Sequence, residues 1–140
     1  MNKNIVFVYG TLRKGFGNHD FLKNSKYIGN AITIYTGWLY VPDHIPFLNF
    51  DIDGYSIKGE LYEVDNKILG IIDELEGHPY VYQRERHMVS SIDNPDYSLT
   101  IAYTYVYHEE MKHIYPKGID KYNNTIITND YKKYINRYME

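Results

Sequence analysis

Apolar residues run unbroken from Ile5 to Tyr9. So short a run with no polar interruption predicts a central strand over residues 4–9, buried on both faces. Residues 10–25 then turn rich in Gly, Asn, Lys and Asp. They predict a loop with one helical turn near Asp20, Phe21 and Leu22. Residues 26–41 predict one long bent strand or a hairpin, with Gly29 and Gly37 as the places where a bulge or kink fits. Pro42, Asp43, His44, Ile45 and Pro46 make a turn.

Residues 55–64 predict another strand. Asp65 behind it is a good helix N-cap, because its carboxylate can accept an N–H of the first turn that has no partner inside the helix. Ile68, Ile71, Ile72 and Leu75 follow at i, i+3, i+4, i+7 spacing. That stripe predicts an amphipathic helix of about two turns. Gly77 fits the position just past its end, and Pro79 blocks continuation. Residues 81–89 and 99–107 predict two strands joined by a turn at Asn94, Pro95 and Asp96. In the second strand Leu99, Ile101, Tyr103, Tyr105 and Tyr107 share a face. Residues 108–127 carry no clear period. A last helix is expected from Thr128 or Asn129, with Tyr131, Tyr134, Ile135 and Tyr138 on one stripe. The expected fold is a mixed α/β (α+β) single domain over residues 1–140, a small curled sheet or barrel with a short inner helix.

Composition removes whole classes of chemistry. There is no cysteine in the 140 residues, so disulfides, thiol nucleophiles and thiolate zinc sites are excluded together. A net charge of -3 argues against a broad electrostatic grip on nucleic acid. No apolar run approaches the roughly 20 residues that a membrane span needs. The first residues, Met1 to Ile5, lead straight into a strand with no cleavage pattern, so a cytoplasmic setting without a membrane partner is expected. Tyrosine stands out at 17 residues. Without a basic groove this reads as sheet packing rather than base stacking.

Two segments carry candidate chemistry. Tyr9, Gly10, Thr11 and Leu12 end a buried strand in a glycine bend, which can gather N–H groups around a carboxylate or a polarised carbonyl. The alternative is an ordinary strand-to-loop turn. The segment is not a phosphate-binding P-loop, because no Lys and Ser or Thr follow at the required spacing. Glu76 ends the predicted helix, where the negative pole of the dipole disfavours a carboxylate. Asp73 and Glu74 nearby would raise its pKa further through like charge. A glutamate tuned upward is a better general base near neutral pH. The plain alternative is a solvated last-turn Glu. Asp73 and Glu74 read as surface acids and partners for Arg84 or Arg86. Tyr82, Arg84, Arg86 and Met88 share a strand face, and Arg84 suits an ion pair or a substrate carboxylate. His108 and His113 flank Glu-Glu-Met-Lys one residue too long for a helical zinc pair, since side chains five apart diverge by about 140°. No Gly-x-Ser-x-Gly occurs. Neither a metal nor any other cofactor is expected.

Read in order, these segments resemble the γ-glutamylcyclotransferase-like family, most closely its γ-glutamylaminecyclotransferase, AIG2-like branch. The resemblance rests on Phe7 to Gly15 with Asn18 and His19, on Lys58 to Val64, and on Leu69 to Arg84, which includes Leu75-Glu76-Gly77-His78-Pro79. It covers roughly residues 5–107. It implies a mixed α/β domain around a small barrel, and a pocket in which the Tyr9, Gly10, Thr11 and Leu12 backbone holds a small-molecule γ-glutamyl substrate. It implies Glu76 as the catalytic acid/base, with Tyr82 as a pocket wall or hydroxyl donor. The implied chemistry is cyclisation of a γ-glutamyl amide to 5-oxoproline with release of an amine or amino acid, without metal or covalent intermediate. A non-catalytic module that binds or senses a small acid in the same pocket is the alternative.

Overall fold

The computed structural model describes residues 3–41, 47–50, 55–107 and 126–128. Strands β1 (Lys3–Val8), β2 (Lys26–Val41), β3 (Phe47–Asn49) and β4 (Tyr55–Asp65) precede helix α1 (Asn66–Glu76), and β5 (Tyr82–Ser91), β6 (Thr100–Tyr107) and β7 (Ile126–Thr128) follow it. The sheet runs β3-β2-β4-β1-β6-β5, and a further pairing of β2 with β5 closes five of these strands into a small barrel. The sheet is antiparallel except for β1 beside β6, where Val6 meets Tyr103. The expected α+β fold on a small barrel is the one observed.

β1 is central because both of its faces are covered. Phe7 and Tyr9 point into the barrel with Leu61, Val89 and Val106. Val6 and Val8 point outward beneath α1, with Tyr62, Leu69, Ile72 and Tyr105. The lack of alternation in the sequence has this cause. Leu12 and Leu22, both buried, fold the 10–25 loop against the same outer layer, and the expected helical turn falls at His19–Leu22.

β2 is one long strand whose pairing with β4 is irregular at Tyr27/Gly29 and at Ile32/Thr36. The first irregularity falls at Gly29 as expected; a Cβ there would lie 2.1 Å from Asp93 Oδ1. The second precedes Gly37, which itself pairs regularly with Tyr55. Its cause is a side chain rather than a glycine. The Thr33 hydroxyl accepts the Ile57 N–H at 2.9 Å and donates to the Tyr35 carbonyl at 2.6 Å, replacing ladder bonds.

α1 is longer than the apolar spacing suggested, running for 11 residues. Asp65 caps it by accepting the Ile68 N–H at 2.8 Å. Gly77 ends it at φ 67, where its N–H returns to the Glu74 carbonyl. A side chain at Gly77 would have to adopt the left-handed region, and its Cβ would stand 2.9 Å from Val81 Cγ2. Gly77→Ala is therefore expected to cost roughly 1–2 kcal/mol, readable as a lower urea midpoint at unchanged slope.

The buried face of α1 is rotated from the expected stripe. Leu69 and Ile72 are buried, whereas Leu75 is 38% exposed. Counting onward from Leu69 and Ile72 at helical spacing, the face continues into Asp73 and Glu76. The apolar stripe was misread because its last turn is acidic. Thr128, expected to start a helix, lies in β7, which pairs with β2. The predicted turn at 42–46, the His108–His113 segment and the helix beyond Thr128 lie outside the described residues.

Candidate active site

The C-terminal end of α1, the end of β1 and the start of β5 meet at one mouth of the barrel. Tyr9 leaves β1 there, buried, and its hydroxyl donates to the Tyr105 carbonyl of β6. Burial holds that hydroxyl well above the usual phenol range, and the nearby Tyr82 and Glu76 push the same way. The sequence-predicted Tyr9, Tyr82 and Glu76 are thus brought within electrostatic reach of one another.

Gly10, Thr11 and Leu12 follow Tyr9 in a tight turn in which the Arg13 N–H bonds to the Gly10 carbonyl at 3.1 Å. Asn18 locks the turn, taking the Thr11 carbonyl through its backbone at 3.0 Å and the Thr11 hydroxyl through its side chain at 2.8 Å. His19 Nδ1 lies 3.0 Å from the Leu12 carbonyl. Among the described residues, the loop's turn bonds employ the N–H groups of Arg13, Phe16, Asn18 and His19 and none from Gly10, Thr11 or Leu12. The Leu12 side chain belongs to the outer core. Only its backbone can serve a ligand.

A second anchor holds the loop from below. Glu60 is 7% exposed on β4 and accepts the Lys14 N–H at 2.9 Å and the Tyr62 hydroxyl at 3.0 Å. Arg13 Nε stands 3.9 Å from its other oxygen. Burial, then the Glu60 charge, drives the Tyr62 hydroxyl well above its ordinary value. Sequence reading singled out neither Arg13 nor Glu60 as an anchor. The strand over residues 55–64 was expected, but nothing in its pattern marked Glu60 as an anchor.

Glu76 sits partly buried on the helix face that meets the barrel. Among the described residues no hydrogen bond or ion pair holds its carboxylate. Burial pushes it up to about 7. The expected direction holds but the cause differs: burial raises it, and no neighbouring like charge contributes. Asp73 Oδ2 lies 2.7 Å from Arg84 Nη1, and Asp73 Oδ1 accepts the Tyr105 hydroxyl. Asp73 is therefore an anchored, partly buried group, and the reading of it as a surface acid is corrected. Its expected partnership with Arg84 is observed. The Arg84 guanidinium also lies 4.6 Å over the Tyr103 ring. Tyr82 is buried in the outer cluster beside Tyr105.

The closed five-stranded barrel therefore carries a partly buried carboxylate, Glu76, near the end of β1. The family described as "Gamma-glutamyl cyclotransferase, AIG2-like" matches residues 6–131, and the chain belongs to this family of enzymes. The match runs past the 5–107 span legible by eye. A protein of Methanocaldococcus jannaschii, named provisionally as a γ-glutamylcyclotransferase, is 51% identical over 82 residues, 58% of this chain and 68% of its own length. Gamma-glutamylaminecyclotransferase A of Danio rerio is 40% identical over 88 residues, 56% of this chain and 54% of its own length. The crystal structure of an AIG2-like protein from Mus musculus superposes with a TM-score of 0.72 at 27% identity, over 79% of this chain and 82% of that one.

Proposed function

We propose that this protein cyclises a γ-glutamyl amide to 5-oxoproline and releases an amine or amino acid, with Glu76 as the acid/base. The observation that carries this reading is the half-buried Glu76, pushed up to about 7, sharing its surroundings with Tyr9 at the head of the glycine bend. The substrate's own α-amine attacks its γ-carbonyl, forming the ring C–N bond. Glu76 takes the proton that this nitrogen loses. The tetrahedral centre collapses, the bond to the leaving nitrogen breaks, and Glu76 returns the proton to it. Atoms balance without water, oxidant or a covalent enzyme intermediate.

The N–H groups of Gly10, Thr11 and Leu12 hold the γ-glutamyl carboxylate or the developing oxyanion, and Tyr9 and Tyr82 wall the pocket. Fixing the folded-back conformer can supply up to roughly 7–11 kcal/mol of barrier. Proton transfer adds on the order of 10²–10⁴ in rate, and preorganised donors stabilise the oxyanion. The name of the Danio rerio relative supports an amine as the leaving group.

The base must be ionised to act. With Glu76 near 7 in the free protein, kcat/KM is expected to rise about tenfold per pH unit below that value and to flatten as Glu76 becomes fully ionised. A pH–rate profile with no limb between pH 5 and 8 would contradict the assignment. The reaction itself is tested by mass spectrometry on a panel of γ-glutamyl-ε-lysine, γ-glutamyl amino acids, simple γ-glutamyl amines and glutathione. 5-Oxoproline from at least one member is expected. None from any member, with folded protein, favours the binding module instead.

A further inference from the structure

The last turn of α1 carries more fixed polar contacts than a helix end needs. Asp73 lies one turn before Glu76 on the same face, and residues three apart on a helix are neighbours, roughly 5–6 Å between Cβ atoms. Asp73 is gripped from two strands at once, by Arg84 of β5 at 2.7 Å and by the Tyr105 hydroxyl of β6. On the other side of Glu76, the His78 N–H bonds to the Asp73 carbonyl at 2.9 Å, and His78 Nδ1 accepts the Arg84 backbone N–H at 3.0 Å. Glu76 therefore sits between two anchored residues.

Tyr105 ties this end to the loop, because its backbone carbonyl takes the Tyr9 hydroxyl while its own hydroxyl goes to Asp73. The same Tyr105 hydroxyl lies within reach of the charges of Asp73, Arg84 and Glu76. Among the described residues, the titratable and charged groups around Glu76 are Asp73 and the exposed Glu74 on its own helix, His78 in the following turn, and Tyr9 after β1. β5 adds Tyr82 and Arg84, and β6 adds Tyr105. Arg84 is the cation among them that pairs with Asp73.

We propose that the Asp73–Arg84 pair is a positioning device for Glu76: it fixes the last helical turn over the barrel mouth and presents no net charge to the Glu76 carboxylate. Its catalytic meaning rests on the role given to Glu76 above. If it holds, each partner alone biases Glu76 in the opposite sense. Asp73→Asn leaves Arg84 as an unbalanced cation that favours ionised Glu76. Arg84→Gln leaves Asp73 as an unbalanced anion that favours protonated Glu76.

The test is a carboxyl-carbon NMR titration of the side-chain Glu resonances, with the Glu76 signal assigned by its loss in Glu76→Gln. The midpoint is expected to fall by about one unit in Asp73→Asn and to rise by about one unit in Arg84→Gln. In the double variant it should return to within about half a unit of wild type. A merely structural pair would not give opposite displacements that cancel. Midpoints that move together in the two single variants, or do not move, overturn the proposal. Should a single variant fail to fold around its unpaired charge, the double variant still decides, and a displacement well beyond half a unit overturns it. The titration needs no substrate. Loss of the catalytic reading, seen as undiminished 5-oxoproline release by Glu76→Gln, is therefore distinguishable from loss of this one.

Discussion

Glu76→Gln is expected to cut 5-oxoproline release by about 10²–10⁴-fold while making the folded protein more stable above neutral pH. The two effects have one origin. Burial lifts Glu76 from its ordinary 4.5 to about 7, so the folded state holds a proton between those values that the unfolded chain has released. Where the native state binds more protons than the unfolded state, stability falls as pH rises. The penalty is absent below about 4.5, grows through the window up to about 7, and is fully present above it. Ionised Glu76 then costs on the order of 2 kcal/mol. Gln is nearly isosteric and cannot ionise, so the variant escapes that cost. It should unfold at higher denaturant than wild type at pH 8 and at the same denaturant at pH 4. Its rate should drop on the order of 10²–10⁴-fold for want of proton transfer. An equal loss of stability and activity would instead mark Glu76 as an ordinary structural residue.

Gly59→Ala is expected to give the largest loss of stability from adding a single carbon. Gly59 lies on β4 where it faces the barrel interior, opposite the end of β1. A Cβ there would stand 2.3 Å from the Val8 carbonyl oxygen and 2.6 Å from Phe7 Cζ. Phe7 is fully buried, so its ring cannot swing away cheaply. The carbonyl is backbone and can yield only by moving β1. Overpacking of this kind costs roughly 3 kcal/mol or more, which lowers the melting temperature by about 10 °C for a domain of this size. The displaced strand end feeds directly into Tyr9 and the glycine bend, so activity should fall more steeply than the folded fraction. Thermal melts of Gly59→Ala and wild type, with residual activity measured below the transition, check both parts. A melt within about 2 °C of wild type would mean that the barrel is looser at this point than its contacts indicate.

Parts of this arrangement were legible in the sequence because local chemistry dictates them. The Ile5 to Tyr9 run can be satisfied only by a strand covered on both sides, and Asp65 and Gly77 mark helix ends by their capping chemistry. The pairing of the glycine bend with Glu76 came from the order of the family segments, and the fold brings both to the same barrel mouth. The rotation of α1 was not legible. A periodicity count weighs apolar residues, and the last turn of the buried face is Asp73 and Glu76. The cause of the Glu76 shift was misassigned for a related reason. Asp73 is balanced by Arg84 from a strand formed later in the chain, and no spacing rule announces a tertiary ion pair. Tyr105 looked like one more aromatic on a sheet surface until its carbonyl and hydroxyl were seen to bind Tyr9 and Asp73. Closure of the barrel between β2 and β5 likewise joins segments, such as Ala31 and Ser91, that share no local signal.

The central claim is that Glu76 drives an intramolecular cyclisation, and one reaction tests it most directly. Wild type and Glu76→Gln are run side by side on the γ-glutamyl panel in water enriched in heavy oxygen, with products read by mass spectrometry. Cyclisation uses no water, so wild type should give unlabelled 5-oxoproline and an equal amount of released amine, and the variant far less of each. Labelled glutamate from wild type, or 5-oxoproline from Glu76→Gln at the wild-type rate, would contradict the mechanism.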